Sequence, residues 1–556
     1  MKLNILIIEP NYKNKYPPLG LMKISSYHKL KGDKVVFYKG CSEDLRNRKW
    51  DRIYITTLFS FYWKRTIKTI NYYKDSVKES KNLLVGGILA TTMYDELIEE
   101  TGIVPLKGLL NKPGILGNDD IIVDNLTPDY DILETIDYTY PTNSAYISYM
   151  TRGCCNHCAF CAVPQLEPKY INYISIKKQV EEIDSLYGKK RNLLLMDNNV
   201  LASTRFDDII DEIIDLGFNK QATYIEPNYL ELYNNRLIKY RNDKIAKEKI
   251  KEILRIFPEK RLKNQNIKDE FVGYIEEFGL LDEENNNYGK LFATRFKKAY
   301  SKLLPIYEMH RNKIPKQRYV DFNQGIDARL LTAQKMKRLS EINIKPLRIA
   351  FDNIKLKEQY IEKIHLAARY GIRELSNYVL YNYNDTPEDL YNRLKLNINL
   401  NEELDLKIYS FPMKYIPIND KNRYYIYEPY WKRKYLRTVQ AILNVTHGAV
   451  MPRRDFFERA FGKNIEEFKR LLIMPEDYVY YRNYCEETGL VNKWENQIKN
   501  LKNSFNGSYE EALSYIHKNS FTNLPEMFIN ENVMDLLIHY KNRVDLTKYK
   551  KWKELK

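Results

Sequence analysis

Ala145-Tyr146-Ile147-Ser148-Tyr149-Met150-Thr151-Arg152-Gly153-Cys154-Cys155-Asn156-His157-Cys158-Ala159-Phe160-Cys161 runs an apolar, strand-like segment straight into a knot of cysteines. Four of the six cysteines in 556 residues lie here, while Cys41 and Cys485 stand far away. A secreted disulfide scaffold would spread its cysteines and pair them. Crowding them into one loop points to a metal or cluster in a reducing compartment. Cys154, Cys158 and Cys161 are spaced C-x3-C-x2-C, and thiolates this soft and close select zinc or iron–sulfur. A structural zinc takes four ligands. His157 and Cys155 are the available fourths, but each adjoins a proposed ligand and would strain to reach the same ion. Three ligands leave one coordination position open, which is where catalysis occurs. Cys155, Cys158 and Cys161 also form C-x2-C-x2-C, so Cys155 is an alternative to Cys154 as the first ligand.

Upstream, short apolar runs alternate with amphipathic ones. Strands are predicted at 4–9, 34–38, 52–58 and 82–87, with helices at 19–30 and 62–80. That alternation predicts a parallel, doubly wound sheet. Gly86-Gly87 at its last strand end allows a sharp turn or a close approach to a ligand. Leu126-Thr127-Pro128-Asp129-Tyr130-Asp131 reads as a linker. Downstream, strands are predicted at 145–150, 192–197, 319–322, 347–352, 378–382 and 408–412, with helices at 175–187 and 206–216 among the segments between them. The rhythm breaks once, over 219–317, which is long, charged and helix-prone. The predicted fold class is therefore α/β. It comprises an N-terminal doubly wound parallel sheet (1–135), a partial (β/α)6 barrel (140–420) with a helical insertion (219–317), and a mostly helical C-terminal region (421–556).

C-x3-C-x2-C with an aromatic before the last cysteine, at the end of the first barrel strand, resembles the radical S-adenosylmethionine (radical SAM) signature. The resemblance implies a [4Fe-4S] cluster on Cys154, Cys158 and Cys161, whose fourth iron chelates the methionine end of SAM. One electron then cleaves SAM to a 5′-deoxyadenosyl radical that abstracts hydrogen. By the same resemblance Phe160 lies near the adenine, and Asp197 and Asn198 hold the amino end of SAM. Asn199 and Ser203 read equally as helix caps. Gln324 and Arg329 are candidates to meet SAM's ribose or carboxylate, Asp327 is the expected partner of Arg329, and Asp352 with Asn353 stands at the fourth strand end. Asn382-Tyr383-Asn384-Asp385-Thr386-Pro387-Glu388-Asp389 resembles the family's turn after strand five, but reads first as a capped helix start with Pro at N1. Phe411–Pro417 matches an apolar strand whose backbone cradles adenine.

Pro17-Pro18-Leu19-Gly20-Leu21, followed by Gly86-Gly87, resembles the cobalamin-binding-type domain ahead of many radical SAM barrels, methyltransferases among them. Cobalamin is thus compatible with the chain, although no Asp-x-His-x-x-Gly follows the first strand to supply a lower axial histidine. The alternative is a Rossmann-like domain that only supports the barrel. The methylthiotransferase branch carries three cluster cysteines in its front domain; here there is only Cys41. Cys485 reads as a core thiol. An external one-electron reductant, flavodoxin- or ferredoxin-like, is the implied partner.

The composition, 44% hydrophobic and 29% charged, is globular. No run approaches the roughly 18 apolar residues of a membrane span. Residues 1–10 read as a first strand rather than a signal peptide, and the expected location is the cytoplasm. A net charge of +16 raises nucleic acid as a partner, but the basic residues are spread along the chain. The 47 tyrosines could stack on bases or simply pack, and Arg453-Arg454 could bind phosphate or be a solvated loop. Two other readings therefore stand beside a radical SAM enzyme of unknown substrate: a non-enzymatic zinc or iron–sulfur nucleic-acid-binding protein, and a radical SAM enzyme acting on RNA.

Overall fold

Apolar runs that can be covered on both faces build the front of the chain. The computed structural model describes residues 2–240, 243–282, 288–421, 424–504, 507–521 and 530–555. Strands β1 (Asn4–Glu9), β2 (Lys34–Lys39), β3 (Arg52–Thr57) and β4 (Leu83–Gly87) form one parallel sheet in the order β2-β1-β3-β4. Ile5 to Ile8 are fully buried, as expected of a central parallel strand. Helix α1 (Leu19–Leu30) follows β1, and α2 (Trp63–Tyr73) connects β3 to β4. The helix predicted over 62–80 stops at Tyr73 because the chain leaves it to pair Val77 with Trp50 alongside the sheet. Strand order reverses between β1 and β3, the position where sheets of this type open a crevice.

Gly87 has φ +113°, and a Cβ there would stand 2.3 Å from the Thr57 carbonyl oxygen. Thr57 locks this turn, its hydroxyl donating to Gly86 O at 3.0 Å and accepting from Ala90 N at 2.9 Å. Only glycine satisfies both the backbone angle and the contact.

A second parallel sheet holds β5 (Ala145–Ser148), β6 (Asn192–Leu195) and β7 (Val320–Phe322), in that order. Helix α3 (Lys177–Tyr187) joins β5 to β6, and α4 (Phe206–Ile213) follows β6. Between α4 and β7, Thr223–Tyr224 pairs antiparallel with Lys316–Gln317 and closes the base of the long insertion. Its helices are α5 (Tyr229–Lys239), α6 (Lys244–Arg261), α7 (Gln265–Glu277) and α8 (Tyr288–His310); residues 241–242 and 283–287 of the insertion lie outside the described residues. Asn228, Asp243 and Asn264 cap the first three, each side chain accepting from a first-turn amide. Leu230, Ile250, Leu254, Phe257, Phe271 and Phe296 give the insertion a core of its own.

Everything so far belongs to one compact unit, residues 1–323 with 341–344; the other comprises 324–340 and 345–556. In the second unit β8 (Leu347–Arg348), β9 (Glu374–Tyr381) and β10 (Lys407–Lys414) form a third parallel sheet. The strand predicted at 347–352 is only two residues long, because Ile349 and Ala350 are drawn into bonds with Ser376 and Ile326. Helix α9 (Lys357–Arg369) precedes β9 and α10 (Pro387–Leu404) follows it. Thr386 and Asp389 form a capping box on α10 with Pro387 in its first turn, as the sequence predicts. From α11 (Arg433–Val445) onward the described chain is helical around Trp431, Phe457, Phe461 and Trp494. Cys485 is fully buried there, and burial pushes its thiol up to about 12, which makes it the core thiol expected. Among the described residues no helix is long and apolar enough to cross a membrane.

Gly87→Ala places a methyl group against Thr57 O in a left-handed backbone. It is expected to cost about 1–3 kcal/mol and to lower the temperature at which the front sheet becomes protease-sensitive; unchanged protease resistance on heating would refute the reading of this turn.

Candidate functional site

The cysteine loop is fastened before its first thiol. Met150 N donates to both carboxylate oxygens of Asp197 at 3.0 and 3.2 Å, and the Thr151 hydroxyl donates to Oδ1 at 2.6 Å. Thr151 N donates to the same oxygen. Asp197 follows β6, so this bond set ties the ends of two neighbouring strands. On the other side Ile174 N donates to Met150 O at 2.7 Å, and Arg152 and Ile171 exchange backbone bonds at 3.2 and 2.9 Å. Asp197 is 1% exposed. Burial raises its carboxyl to about 6, with the Thr151 and Met150 donors pulling in the opposite direction. Asp197, the residue the resemblance implied for SAM, braces the loop's entry chiefly through Oδ1, while among the described residues Oδ2 receives only Met150 N.

A second carboxylate grips the next turn. Glu167 accepts from Gly153 N at 2.6 Å and Asn198 Nδ2 at 2.8 Å, and pairs with Arg152 at 3.1 Å. Sequence reasoning passed over Glu167, although it is the sole acidic residue between Cys154 and Tyr170. Gly153 has φ +73°, and a Cβ there would lie 2.6 Å from Lys169 O and 2.9 Å from Glu167 O. The return strand of the loop thus crosses directly over this glycine.

N–H groups face the sulfurs. Asn156 N and Asn199 Nδ2 each lie 3.4 Å from Cys154 Sγ, Asn199 Nδ2 lies 3.5 Å from Cys155 Sγ, and Val163 N lies 3.5 Å from Cys161 Sγ. Cys161 N closes a turn onto Cys158 O at 3.0 Å. Asn199, expected as a helix cap, makes no side-chain cap bond; it is 2% exposed and turned to the thiols, and its Oδ1 is buried with no hydrogen-bond partner. Ser203 does act locally, accepting from Arg205 N at 3.0 Å. Cys154, Cys158, Cys161 and Phe160 are half-exposed, and Cys155 is exposed. Among the described residues no three His, Cys, Asp or Glu side chains converge on a single-ion site. Soft thiols on one loop, with amide donors that would stabilise thiolate charge, fit an iron–sulfur cluster.

Beside this loop, at the switch point of the front sheet, is a cavity of about 210 Å³. Gly86, Gly87 and Leu106 line it from the sheet, and Tyr149 and Arg152 from the start of the cysteine loop. The Arg152 guanidinium stacks 4.0 Å over the Tyr149 ring, and Lys23 donates to the Tyr149 hydroxyl at 3.0 Å. Burial lowers Lys23 to about 8.

Gln324, Arg329 and Asp352 belong to the second unit. There Gln324 is exposed. Arg329 forms a two-pronged pair with Asp327 at 2.8 and 2.7 Å, the partnership the sequence suggested. Burial raises the Asp352 carboxyl to about 6 against the pull of Arg393. Arg393 is fully buried; it donates to Asp352 O at 2.9 Å and to Asp385 Oδ2 at 2.8 Å, while Trp431 Nε1 donates to Asp385 Oδ1 at 2.9 Å. Asn353 caps a short 3-10 turn by accepting from Lys355 N at 2.9 Å. The structure thus gathers the cysteines, Phe160, Asp197 and Asn198 in one unit, and Gln324, Arg329 and Asp352 in the other.

No family model matches the chain, and no curated protein matches it. Among solved structures it is similar to the radical S-adenosylmethionine methyltransferase TsrM from Kitasatospora setae with cobalamin and [4Fe-4S] cluster bound. The TM-score is 0.39 at 13% identity, over 75% of this chain and 77% of that one. A second TsrM structure, with tryptophan substrate and a SAM analog, gives TM-score 0.39 at 12% identity over 75% of each chain.

Because the folded-state carboxyl of Asp197 titrates near 6 rather than 3.8, the fold favours its protonated form. Its contribution to stability is fully present below pH 4 and is lost as pH rises through 6. Asp197→Asn is therefore expected to gain stability relative to the parent between pH 4.5 and 6.5, by about 2 kcal/mol. Urea unfolding at the two pH values measures this, and a parallel offset would show that Asp197 is not the group responsible.

Proposed function

We propose that the chain is a radical SAM enzyme whose [4Fe-4S] cluster is held by Cys154, Cys158 and Cys161. The observation that carries this reading is the C-x3-C-x2-C loop at the end of a parallel strand, its backbone fixed by Asp197 and Glu167 and its Cys154 and Cys161 sulfurs faced by N–H donors. When bound, such a cluster supplies the electron that cleaves SAM to methionine and a 5′-deoxyadenosyl radical.

The chain's own residues do the positioning. Asp197 and Glu167 hold the loop backbone rigid, so the three thiols keep their spacing. Asn199 directs its amide at the sulfurs of Cys154 and Cys155. Phe160 offers a ring for the adenine, and Asn198, anchored by Glu167, offers its remaining amide oxygen to the methionine amino group. Gln324, Arg329 and Asp352 are, by the resemblance, the proposed contacts to SAM's ribose and carboxylate. The front-sheet cavity supports a ligand beside the loop; among the described residues lining it there is no histidine, so cobalamin there would receive no histidine ligand from its walls. Methyl transfer is the proposed reaction if cobalamin binds there, with a flavodoxin- or ferredoxin-like protein as electron donor.

Anaerobic reconstitution with iron and sulfide, followed by dithionite and SAM, should yield 5′-deoxyadenosine. Cys154→Ala should abolish it and Cys155→Ala should retain it. The reverse pattern would move the first ligand to Cys155, and a protein that holds zinc and forms no product would overturn the enzyme reading. Glu167→Ala leaves every cysteine in place and should weaken iron binding about tenfold, read from iron retained against a competing chelator.

A further inference from the structure

A cavity of about 690 Å³ lies outside the cysteine site, between the insertion helices α5, α6 and α8 and the chain around residues 187–190. Its size falls in the range of small-molecule sites. Tyr187, Tyr229, Tyr233 and Tyr307 supply ring surface, and the Tyr229 and Tyr233 rings lie 20° from parallel with centroids 6.1 Å apart. Several wall charges cancel one another. Lys249 is held between Glu134 at 2.7 Å and Glu252 at 3.0 Å, and Arg311 is held by Glu308 at 2.6 Å. Lys190, Lys260 and Arg261 remain as cations against Glu226 and the second carboxylate at Lys249, which leaves the cavity a small excess of positive charge.

Lys190 is the most telling of these. Its ammonium donates to one acceptor, Tyr187 O at 3.3 Å, and sits 4.8 Å above the Tyr130 ring. Burial lowers it to about 8, so it is still mostly protonated at neutral pH. Lys190 is half-buried, the carboxylates of Glu134, Asp131 and Asp184 act on it only from a distance, and among the described residues none lies within ion-pair distance of it. We propose that this cavity binds a nucleotide unit, its base against the Tyr229 and Tyr233 rings and its phosphate between Lys190 and the Lys260–Arg261 rim. Aromatic faces beside cations are the chemistry that recognises a base joined to a phosphate. The same chemistry serves a free nucleotide or one residue of a single-stranded RNA.

The test is equilibrium binding to the full-length chain, with and without reconstituted iron, of fluorescent AMP and GMP in one arm and a labelled eight-nucleotide RNA in the other. The proposal stands apart from the radical chemistry, since binding is read without turnover. Tyr233→Ala and Lys190→Met should each weaken binding about tenfold. Lys260→Glu with Arg261→Glu, both exposed and remote from the core, should do the same and flatten the salt dependence. Lys178→Glu with Lys220→Glu makes the same charge change elsewhere and should leave affinity within about twofold. Mononucleotides bound as tightly as the RNA would identify a free nucleotide as the ligand, and binding of the RNA alone would identify an RNA residue. A parent protein that binds neither probe, or a control pair that weakens binding as much as the rim pair, would overturn the proposal.

Discussion

Two carboxylates hold the cysteine loop, and much of the first unit is arranged to keep them where they are. Asp197 can receive Met150 N, Thr151 N and the Thr151 hydroxyl only because β5 and β6 are adjacent and parallel, so that their carboxyl ends lie side by side. Withdrawing a carboxylate from water is expensive unless donors surround it. Here the donors are backbone groups that a turning loop must satisfy in any case. Glu167 meets the other half of the same need, receiving Gly153 N where the chain passes beneath its own return segment. The loop is thus ordered by the ends of two strands and by a carboxylate it carries itself.

The second unit solves a comparable problem with a cation. Arg393, on α10, reaches back to the carbonyls at Phe351 and Asp352 and to the carboxylate of Asp385, joining the segment after β8 to the turn after β9. Trp431 completes the set from the approach to α11, which makes the helical C-terminal region part of what holds those strand ends. Asn382, fully buried at φ +66°, does similar work by accepting from Tyr427 N and donating to the Tyr415 and Tyr425 carbonyls. Each strand-end loop is governed by a buried polar residue whose every bond is to the chain itself, leaving Arg329 and Gln324 as the more exposed groups.

What the sequence made legible follows from the range of the interactions. The Ile5–Ile8 run, the Pro-Pro entry to α1 and the capping box at Thr386 are local patterns, and each appears where expected. The cysteine spacing was equally local. The role of Asp197 was not, because its partners lie 46 and 47 positions earlier and only strand pairing brings them near. Asn199 stands at the N-cap position read for it, but its side chain turns to the thiols of Cys154 and Cys155, which nothing in its neighbourhood announces. The helix over 62–80 was drawn too long because its continuation is helix-compatible in isolation, and only the pairing of Val77 with Trp50 ends it.

The antiparallel pair of Thr223–Tyr224 with Lys316–Gln317 sets the two ends of the insertion side by side. A segment whose entrance and exit meet can be lengthened, shortened or exchanged without altering the distance the scaffold must span between α4 and β7. The helical module has a core of its own, so changes within it need not disturb the strands that present the cysteines. Two anchors limit that freedom: buried Arg236 on α5 pairs with Asp131, and Lys249 on α6 pairs with Glu134, so a changed module must keep both or reach the scaffold another way.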